Sequence, residues 1–219
     1  MIADGEKLAV GLSGGKDSLV LIWILKNRLK HIPVDYTLTA IYVDPGFENG
    51  YAEALAVYCA ESDIELIVEY TENGLVAHSR ENRENPCFLC SRLRRKRLFE
   101  IAKRIGARKI ALGHHKDDII ETLFLNIFYA GEISTMAPCQ EFFNGAMTII
   151  RPLAYLEEER LRRFSELMEF PVFENPCPSA GRSKRQVVKN ILAELYRTNR
   201  KIKGNIFRSL HHVKQDYLL

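Results

Sequence analysis

The chain of 219 residues contains no apolar run long enough to span a bilayer, which excludes a membrane-crossing helix. Its opening residues Met1-Ile2-Ala3-Asp4-Gly5-Glu6 lack the basic and apolar regions of a secretory signal, so a cytoplasmic protein with no membrane partner is expected. No repeat and no low-complexity segment interrupts it. Cysteine is scarce; the five present, in a reducing compartment, read as metal ligands, reactive thiols or core residues rather than as disulfides. There is little excess charge, +3 overall, but its distribution is uneven. From Pro178 to Leu219 there are ten Lys/Arg against two Asp/Glu, a balance of +8, and the rest of the chain stands at −5. Such a basic segment on an acidic body points to a polyanionic partner or to a solvated basic helix. A hydrophobic content of 47% suffices for a core, and the length fits one domain, with or without an appendage.

One stretch organises the rest: Leu8-Ala9-Val10-Gly11-Leu12-Ser13-Gly14-Gly15-Lys16-Asp17-Ser18. The run Leu8 to Leu12 predicts a buried strand. From Ser18 to Leu29, apolar residues recur with helical spacing. Gly14 and Gly15 let the backbone bend sharply between the two and leave N–H groups uncovered, beside the positive end of the helix dipole. Ser13 and Ser18 add hydroxyls, and Lys16 adds a mobile charge. Together they suit a phosphate. The spacing is neither that of a Walker loop nor G-x-G-x-x-G. The block Ser13-Gly14-Gly15-Lys16-Asp17-Ser18 instead resembles the PP-loop of the ATP pyrophosphatases, which hold the pyrophosphate of ATP and transfer AMP to a substrate oxygen. An ordinary glycine turn is the plainer alternative.

Four further strands are predicted at Thr37–Val43, Ile64–Val68, Arg108–Leu112 and Ala146–Ile150, and helices at Gly50–Cys59, Ser91–Ile105, Ile119–Phe128 and Glu157–Met168. This alternation predicts an α/β fold, a doubly wound, Rossmann-like parallel sheet of five strands with right-handed crossovers. Ligands of such sheets bind at the carboxyl ends of the strands. At that edge lie Tyr42, Val43 and Asp44, placed to meet an adenine, then Gly113 and His114, and Arg151, placed to bind a phosphate. The stretches Thr71–Pro86, Gly131–Asn144 and Pro171–Arg182 read as loops. An amphipathic helix is expected over Lys184–Tyr196, with Val187, Val188, Ile191, Leu192 and Leu195 facing one way, and the last twenty or so residues are weakly patterned. The expected division is a nucleotide-binding domain over 1–177 and a basic helical segment over 178–219, packed on the same domain.

Cys87 and Cys90 are spaced as metal ligands or as a redox pair. Cys59, among apolar neighbours at helical spacing, reads as a small core residue. Cys139 reads as a loop residue of no special role. Cys177, between Pro176 and Pro178, lies on a loop that the sheet order can bring to the same edge. Three thiolates and an open position suit a [4Fe–4S] cluster with one iron that has no protein ligand, whereas a structural zinc needs four ligands. Arg94, one turn beyond Cys90, belongs to the basic run Arg92 to Arg97, a solvated face that can also touch phosphate. Asp117 and Asp118 can hold Mg²⁺ or assist proton transfer, or cap the helix that follows.

Five motifs in order carry a wider resemblance: Ser13 to Ser18; Cys87 and Cys90 followed by Ser91-Arg92-Leu93-Arg94-Arg95; Gly113-His114-His115-Lys116-Asp117-Asp118-Ile119-Ile120-Glu121-Thr122-Leu123-Phe124-Leu125-Asn126; Ile150-Arg151-Pro152-Leu153; and Asn205-Ile206-Phe207-Arg208-Ser209-Leu210. Together they resemble the TtcA family, the tRNA 2-thiocytidine synthetases, over nearly the whole chain. The resemblance implies an enzyme dependent on ATP and Mg²⁺, with an oxygen-sensitive cluster, that replaces O2 of cytidine 32 in the anticodon loop with sulfur. Its partners would be tRNA and a sulfur donor, either a cysteine desulfurase or inorganic sulfide, with a homodimer left open. Many members carry a second C-x-x-C near the end; here Cys177 stands at its first cysteine and Ala180 at its last. The expected catalytic set is Lys16, Asp17, Arg94, Asp117 and Asp118. Two rival readings are a zinc-containing PP-loop ligase or amidotransferase acting on another tRNA base or a small molecule, and a nucleotide-binding regulator without turnover.

Overall fold

The computed structural model describes residues 1–217. In chain order its elements are β1 (Glu6–Gly11), α1 (Lys16–Arg28), β2 (Tyr36–Asp44), α2 (Ala52–Glu61), β3 (Leu66–Tyr70), α3 (Asn73–Ala77), α4 (Pro86–Arg104), β4 (Lys109–Leu112), α5 (Lys116–Tyr129), β5 (Cys139–Phe142), β6 (Met147–Ile150), α6 (Glu158–Leu167), α7 (Lys184–Thr198) and α8 (Ile202–Ser209), followed by a single 3₁₀ turn. They form one sheet in the order β3-β2-β1-β4-β6-β5. The five expected strands are present and parallel, and the sheet has a sixth. That strand, β5, lies in the stretch expected to be loop and runs antiparallel to β6 at the edge. It pairs through a tight turn in which Phe143, Asn144 and Gly145 all have positive φ.

Both faces of the sheet are buried, and the alternation of side chains decides what each strand gives to each face. Leu8, Val10, Ala40, Tyr42, Ala111 and Ile150 join α1, α2 and α6 in one core. Ala9, Ile41, Val43, Ile110, Met147 and Ile149 join α4 in the other. On the first side the Trp23 ring of α1 meets Phe164 of α6 edge-on, with centroids 5.0 Å apart. A third, smaller cluster fastens the C-terminal helices: Val188 and Leu192 of α7 pack on Ile120 of α5, with Ile206 and Phe207 of α8 alongside. No helix among the described residues is long and apolar enough to cross a membrane.

Local chemistry sets the helix starts, and several lie earlier than the apolar periodicity suggests. Gly15 is the N-cap of α1, so the helix begins at Lys16 rather than Ser18. Pro86 opens α4, where its fixed φ and missing N–H suit a first turn, and Asn85 caps it by accepting from the Phe88 N–H at 3.3 Å. Cys87 and Cys90 therefore sit in the first two turns of a helix expected to start at Ser91. Helix α5 begins at Lys116 through a reciprocal capping box between His115 and Asp118.

Candidate functional site

The phosphate loop occupies residues 12–15, between β1 and α1. Gly14 has φ +72°, a conformation costly for any side chain, and a Cβ there would stand 2.5 Å from the Tyr51 ring. Ser18 is buried and locks the loop: its hydroxyl donates to the Gly15 carbonyl at 2.8 Å and accepts from the Ser13 N–H at 3.1 Å. Tyr51 donates its hydroxyl to the Ser13 carbonyl at 2.6 Å, stacks on Phe173 at 5.2 Å and leans on Tyr42 at 5.4 Å. Gly113 is needed for closeness: a Cβ would lie 3.0 Å from the backbone of Asp17. The end of β4 is thereby pressed against the first turn of α1. Val43 points into the core beside α4, so only its backbone faces this edge. Asp44 is buried and accepts from the Gly46 N–H at 2.7 Å.

An ionic network surrounds the loop. Lys16 Nζ meets Asp17 Oδ2 at 3.2 Å and Glu158 Oε1 at 3.1 Å. Burial works against the charged lysine, but the two carboxylates outweigh it and raise its pKa. Asp17 is shifted upward by burial, opposed by Lys16 and His115. Its Oδ1 is buried with no partner among the described residues. His115 Nδ1 accepts from the Asp118 N–H at 3.4 Å, which leaves the ring proton on Nε2, 3.2 Å from Asp118 Oδ2 and 3.8 Å from Asp17 Oδ2. Asp118 also receives Arg185 at 2.9 Å. Asp117 accepts from the Glu158 N–H at 2.9 Å and pairs with Lys203 at 2.6 Å. Both aspartates thus tie α5 to its neighbours. Glu158 is half-buried; burial alone would raise its pKa, yet hydrogen bonds from Lys189 and Lys16 bring it down to about 2.

Arg151 is buried at the end of β6. Its guanidinium donates to the Ala137 carbonyl, to Gln140 Oε1 and to His114 Nδ1. Burial lowers its pKa to about 10 and lowers that of His114 to about 4, so a neutral imidazole sits beside a cation.

The cysteine corner lies at the same edge. Cys87 is exposed and Cys90 half-buried on α4, and Cys177 is half-buried on the loop before α7. Burial raises the Cys90 thiol, Arg94 opposes it, and the nearby Cys177 and Cys87 add to it, so the three thiols share one neighbourhood. The charge of the exposed Arg94 also acts on Tyr42, Tyr51 and His114. His78 Nε2 stands 4.0 Å from Cys177 Sγ and accepts from Ser179 Oγ at 2.7 Å. Among the described residues no group of three or more His, Cys, Asp or Glu side chains is spaced for a single metal ion. An iron–sulfur cluster attaches each thiolate to a different iron, so it does not need that spacing. Cys59 is a core residue whose thiol is pushed up to about 11 by burial, and Cys139 starts the edge strand β5 rather than lying in a loop.

The site therefore joins Ser13 to Ser18, Tyr42, Asp44, Arg94, Gly113, His114, Asp118, Arg151 and the three cysteines. Sequence reasoning missed Tyr51, His115, Glu158, Arg185 and Lys189. For His115 a signal existed, since it precedes Asp118 at capping-box spacing; the others are distant in sequence and have none.

Residues 3–195 match the family described as a PP-loop domain. The chain is 37% identical over 222 residues to the tRNA-cytidine(32) 2-sulfurtransferase of Geobacter sulfurreducens, covering all of this chain and 86% of that protein. To the protein of that name from Photorhabdus laumondii it is 40% identical over 226 residues, covering all of this chain and 72% of the relative. Among solved structures it is similar to the U34-tRNA thiolase NcsA from Methanococcus maripaludis with its [4Fe-4S] cluster: TM-score 0.78 and 28% identity, over 97% of this chain and 74% of that one. Its likeness to the NH3-dependent NAD synthetase of Campylobacter jejuni, at TM-score 0.54 and 15% identity over 98% of this chain and 86% of that one, concerns the fold alone. With the phosphate loop seated in a parallel sheet and the match extending over the full length, this chain belongs to the PP-loop family and, within it, to the tRNA-cytidine(32) 2-sulfurtransferases (TtcA).

Proposed function

We propose that the protein is a tRNA sulfurtransferase that uses ATP to adenylate O2 of cytidine 32 and then replaces that oxygen with sulfur. The observation that supports this reading is that the phosphate loop follows β1, while Cys87 and Cys90 open α4 and Cys177 contacts His78 just before it, at the carboxyl ends of the strands. The relatives' names supply the base, and the PP-loop match supports the nucleotide.

A base carbonyl oxygen leaves poorly, and adenylation makes it part of AMP, which leaves well. The oxygen attacks the α-phosphorus and pyrophosphate departs; sulfide then adds at C2 and AMP departs. No net oxidation or reduction is involved. In this scheme the loop N–H groups and Lys16 hold the β- and γ-phosphates and stabilise the charge that develops on them. The half-buried Tyr51, rather than the buried Tyr42 that it packs against, offers aromatic surface to the adenine. The unpartnered Oδ1 of Asp17 fits a Mg²⁺ ion, which would neutralise phosphate charge. Asp118 and His115 set the wall opposite. A [4Fe–4S] cluster on Cys87, Cys90 and Cys177 would supply sulfide at an iron without a protein ligand. Arg94 would orient the substrate across the gap. A tRNA substrate agrees with a cytoplasmic protein.

The test is mass spectrometry of tRNA nucleosides from cells lacking the gene. The expected result is loss of 2-thiocytidine, restored by the intact gene and not by a Lys16→Ala copy. Unchanged 2-thiocytidine overturns the reading. Anaerobic purification separates the zinc alternative: a brown protein supports the cluster, and a colourless one containing zinc removes it.

A further inference from the structure

Glu158 opens helix α6, 142 residues from Lys16, and divides its two oxygens between two ammonium groups. Oε1 accepts from Lys16 at 3.1 Å, and Oε2 accepts from Lys189 of α7 at 2.8 Å. The carboxylate is held in place from behind, because its backbone N–H donates to Asp117 Oδ2 at 2.9 Å. Lys16 and Glu158 are partly buried, at 32% and 27% exposed, so their pair is screened less than one on the surface, whereas Lys189 is exposed at 45%. Lys189 reaches Glu158 at the rim of a cavity of about 180 Å³ that it lines with Asp117, Glu121, Tyr196 and Lys203. Replacing it therefore opens no void in a packed core.

This arrangement poses an electrostatic problem. A carboxylate in contact with the lysine of a phosphate loop keeps that lysine in place, but it also sets a negative charge beside the phosphates. We infer that Glu158 is a positioning residue for Lys16, and that Lys189 cancels the charge of Glu158 so that the phosphates of ATP meet a held cation and not a bare carboxylate. The inference rests on the assignment of Lys16 to those phosphates. It also gives the C-terminal helix α7 a part in the nucleotide site, on an element whose basic character reads from sequence only as a surface for a polyanion.

The test is a double-mutant cycle read as the Kd for Mg-ATP on the full chain by equilibrium dialysis, with thermal melting to confirm that each variant is folded. Lys189→Met is expected to raise the Kd about fivefold, the equivalent of an ion pair worth about 1 kcal/mol. Lys189→Arg keeps the wild-type value. The double variant Glu158→Gln with Lys189→Met is expected to return to within about twofold of wild type, because the charge that needed cancelling is gone. A merely structural Lys189 predicts the opposite, two losses that add. Glu158→Gln alone leaves the Kd within about twofold, and lowers the rate of tRNA-dependent pyrophosphate release at saturating ATP about fivefold, since Lys16 is no longer held. Glu158→Asp recovers part of that rate.

A Lys189→Met protein with the wild-type Kd, a double variant that binds as weakly as Lys189→Met, or an unchanged rate in Glu158→Gln overturns the inference while leaving the function standing. A wild-type chain that binds no ATP overturns both.

Discussion

Around the phosphate loop the side chains are fastened to one another. Lys16 touches two carboxylates, His115 bridges toward Asp17 and Asp118, and Arg151 spends its guanidinium on the Ala137 carbonyl, Gln140 and His114. Around the cysteines most fastenings are short-range: the Asn85 cap of α4, the Arg92–Glu84 ion pair at 2.9 Å, and bonds from the Cys177 N–H to Asn175 at 3.1 Å and from the Ala180 N–H to the Cys177 carbonyl at 2.9 Å, beside the longer-range contact with His78. One half of the site is tied together across long stretches of sequence, and the other mainly by contacts between near neighbours in the chain. Affinity for nucleotide should therefore be a property of the bare chain, and order in the cysteine corner a property of the loaded one.

The sharpest way to break this contrast is to remove a cysteine. Cys177→Ala, like Cys87→Ala and Cys90→Ala, is expected to lose all cluster iron and all thiolation after anaerobic reconstitution, while its Kd for ATP stays at the wild-type value. Cys59→Ala and Cys139→Ala should keep both. A Cys177→Ala protein that retains four irons and full activity would end the three-thiolate account. Next in size, Lys16→Ala should cut pyrophosphate release by roughly 10²–10³-fold, the usual cost of removing one preorganised group from a developing charge. Its cluster absorption should not change.

Two smaller effects concern stability. Gly14→Ala forces a side chain to φ +72° and against Tyr51, and should cost about 1–3 kcal/mol, seen as a lower Tm. Cys87→Ala on the exposed start of α4 should change the stability of the unloaded chain by less than about 0.5 kcal/mol. A third effect on stability depends on pH. Burial, helped by Asp118 and opposed by Arg185, pushes Glu121 up to about 7 from an ordinary 4.5. Between those values the folded chain keeps a proton that the unfolded chain has lost, so this group's contribution to stability is full below pH 4.5 and falls as pH rises toward 7. The Tm advantage of Glu121→Gln over wild type should grow across the same window, and a flat difference would argue against a buried, protonated Glu121.

Much of the fold was legible because it is written in short-range signals. Apolar runs, Gly-rich breaks and helical spacing give the parallel strands and most helices. Strand β5 escaped since its residues alternate between exposed and half-buried and include a glutamate; yet Asn144-Gly145, a strong hairpin signal, marks its turn. Helix α8 escaped through weak patterning, and is held by Ile206 and Phe207 against α5. In the site, the loop residues and the C-x-x-C pair were visible as motifs. Glu158 and Lys189 were not, because a charged residue in a first turn and a lysine on an amphipathic helix look like solvated surface until the fold brings them together. The same holds for the basic tail: Arg185, Lys189 and Lys203 belong to the +8 segment but are turned inward onto Asp118, Glu158 and Asp117.

The contact between Trp23 and Phe164 has a practical consequence. Trp23 is the sole tryptophan of the chain. It lies about two turns along α1 from Lys16, and its neighbour Phe164 lies on α6, the helix that begins with Glu158. If a ligand that draws Lys16 away from Glu158 also shifts α6 against α1, this indole sits where the shift is felt. The protein thus carries a built-in fluorophore at the seam between these helices: its emission maximum and its quenching by acrylamide report helix docking in the unlabelled chain, in real time, during a nucleotide titration.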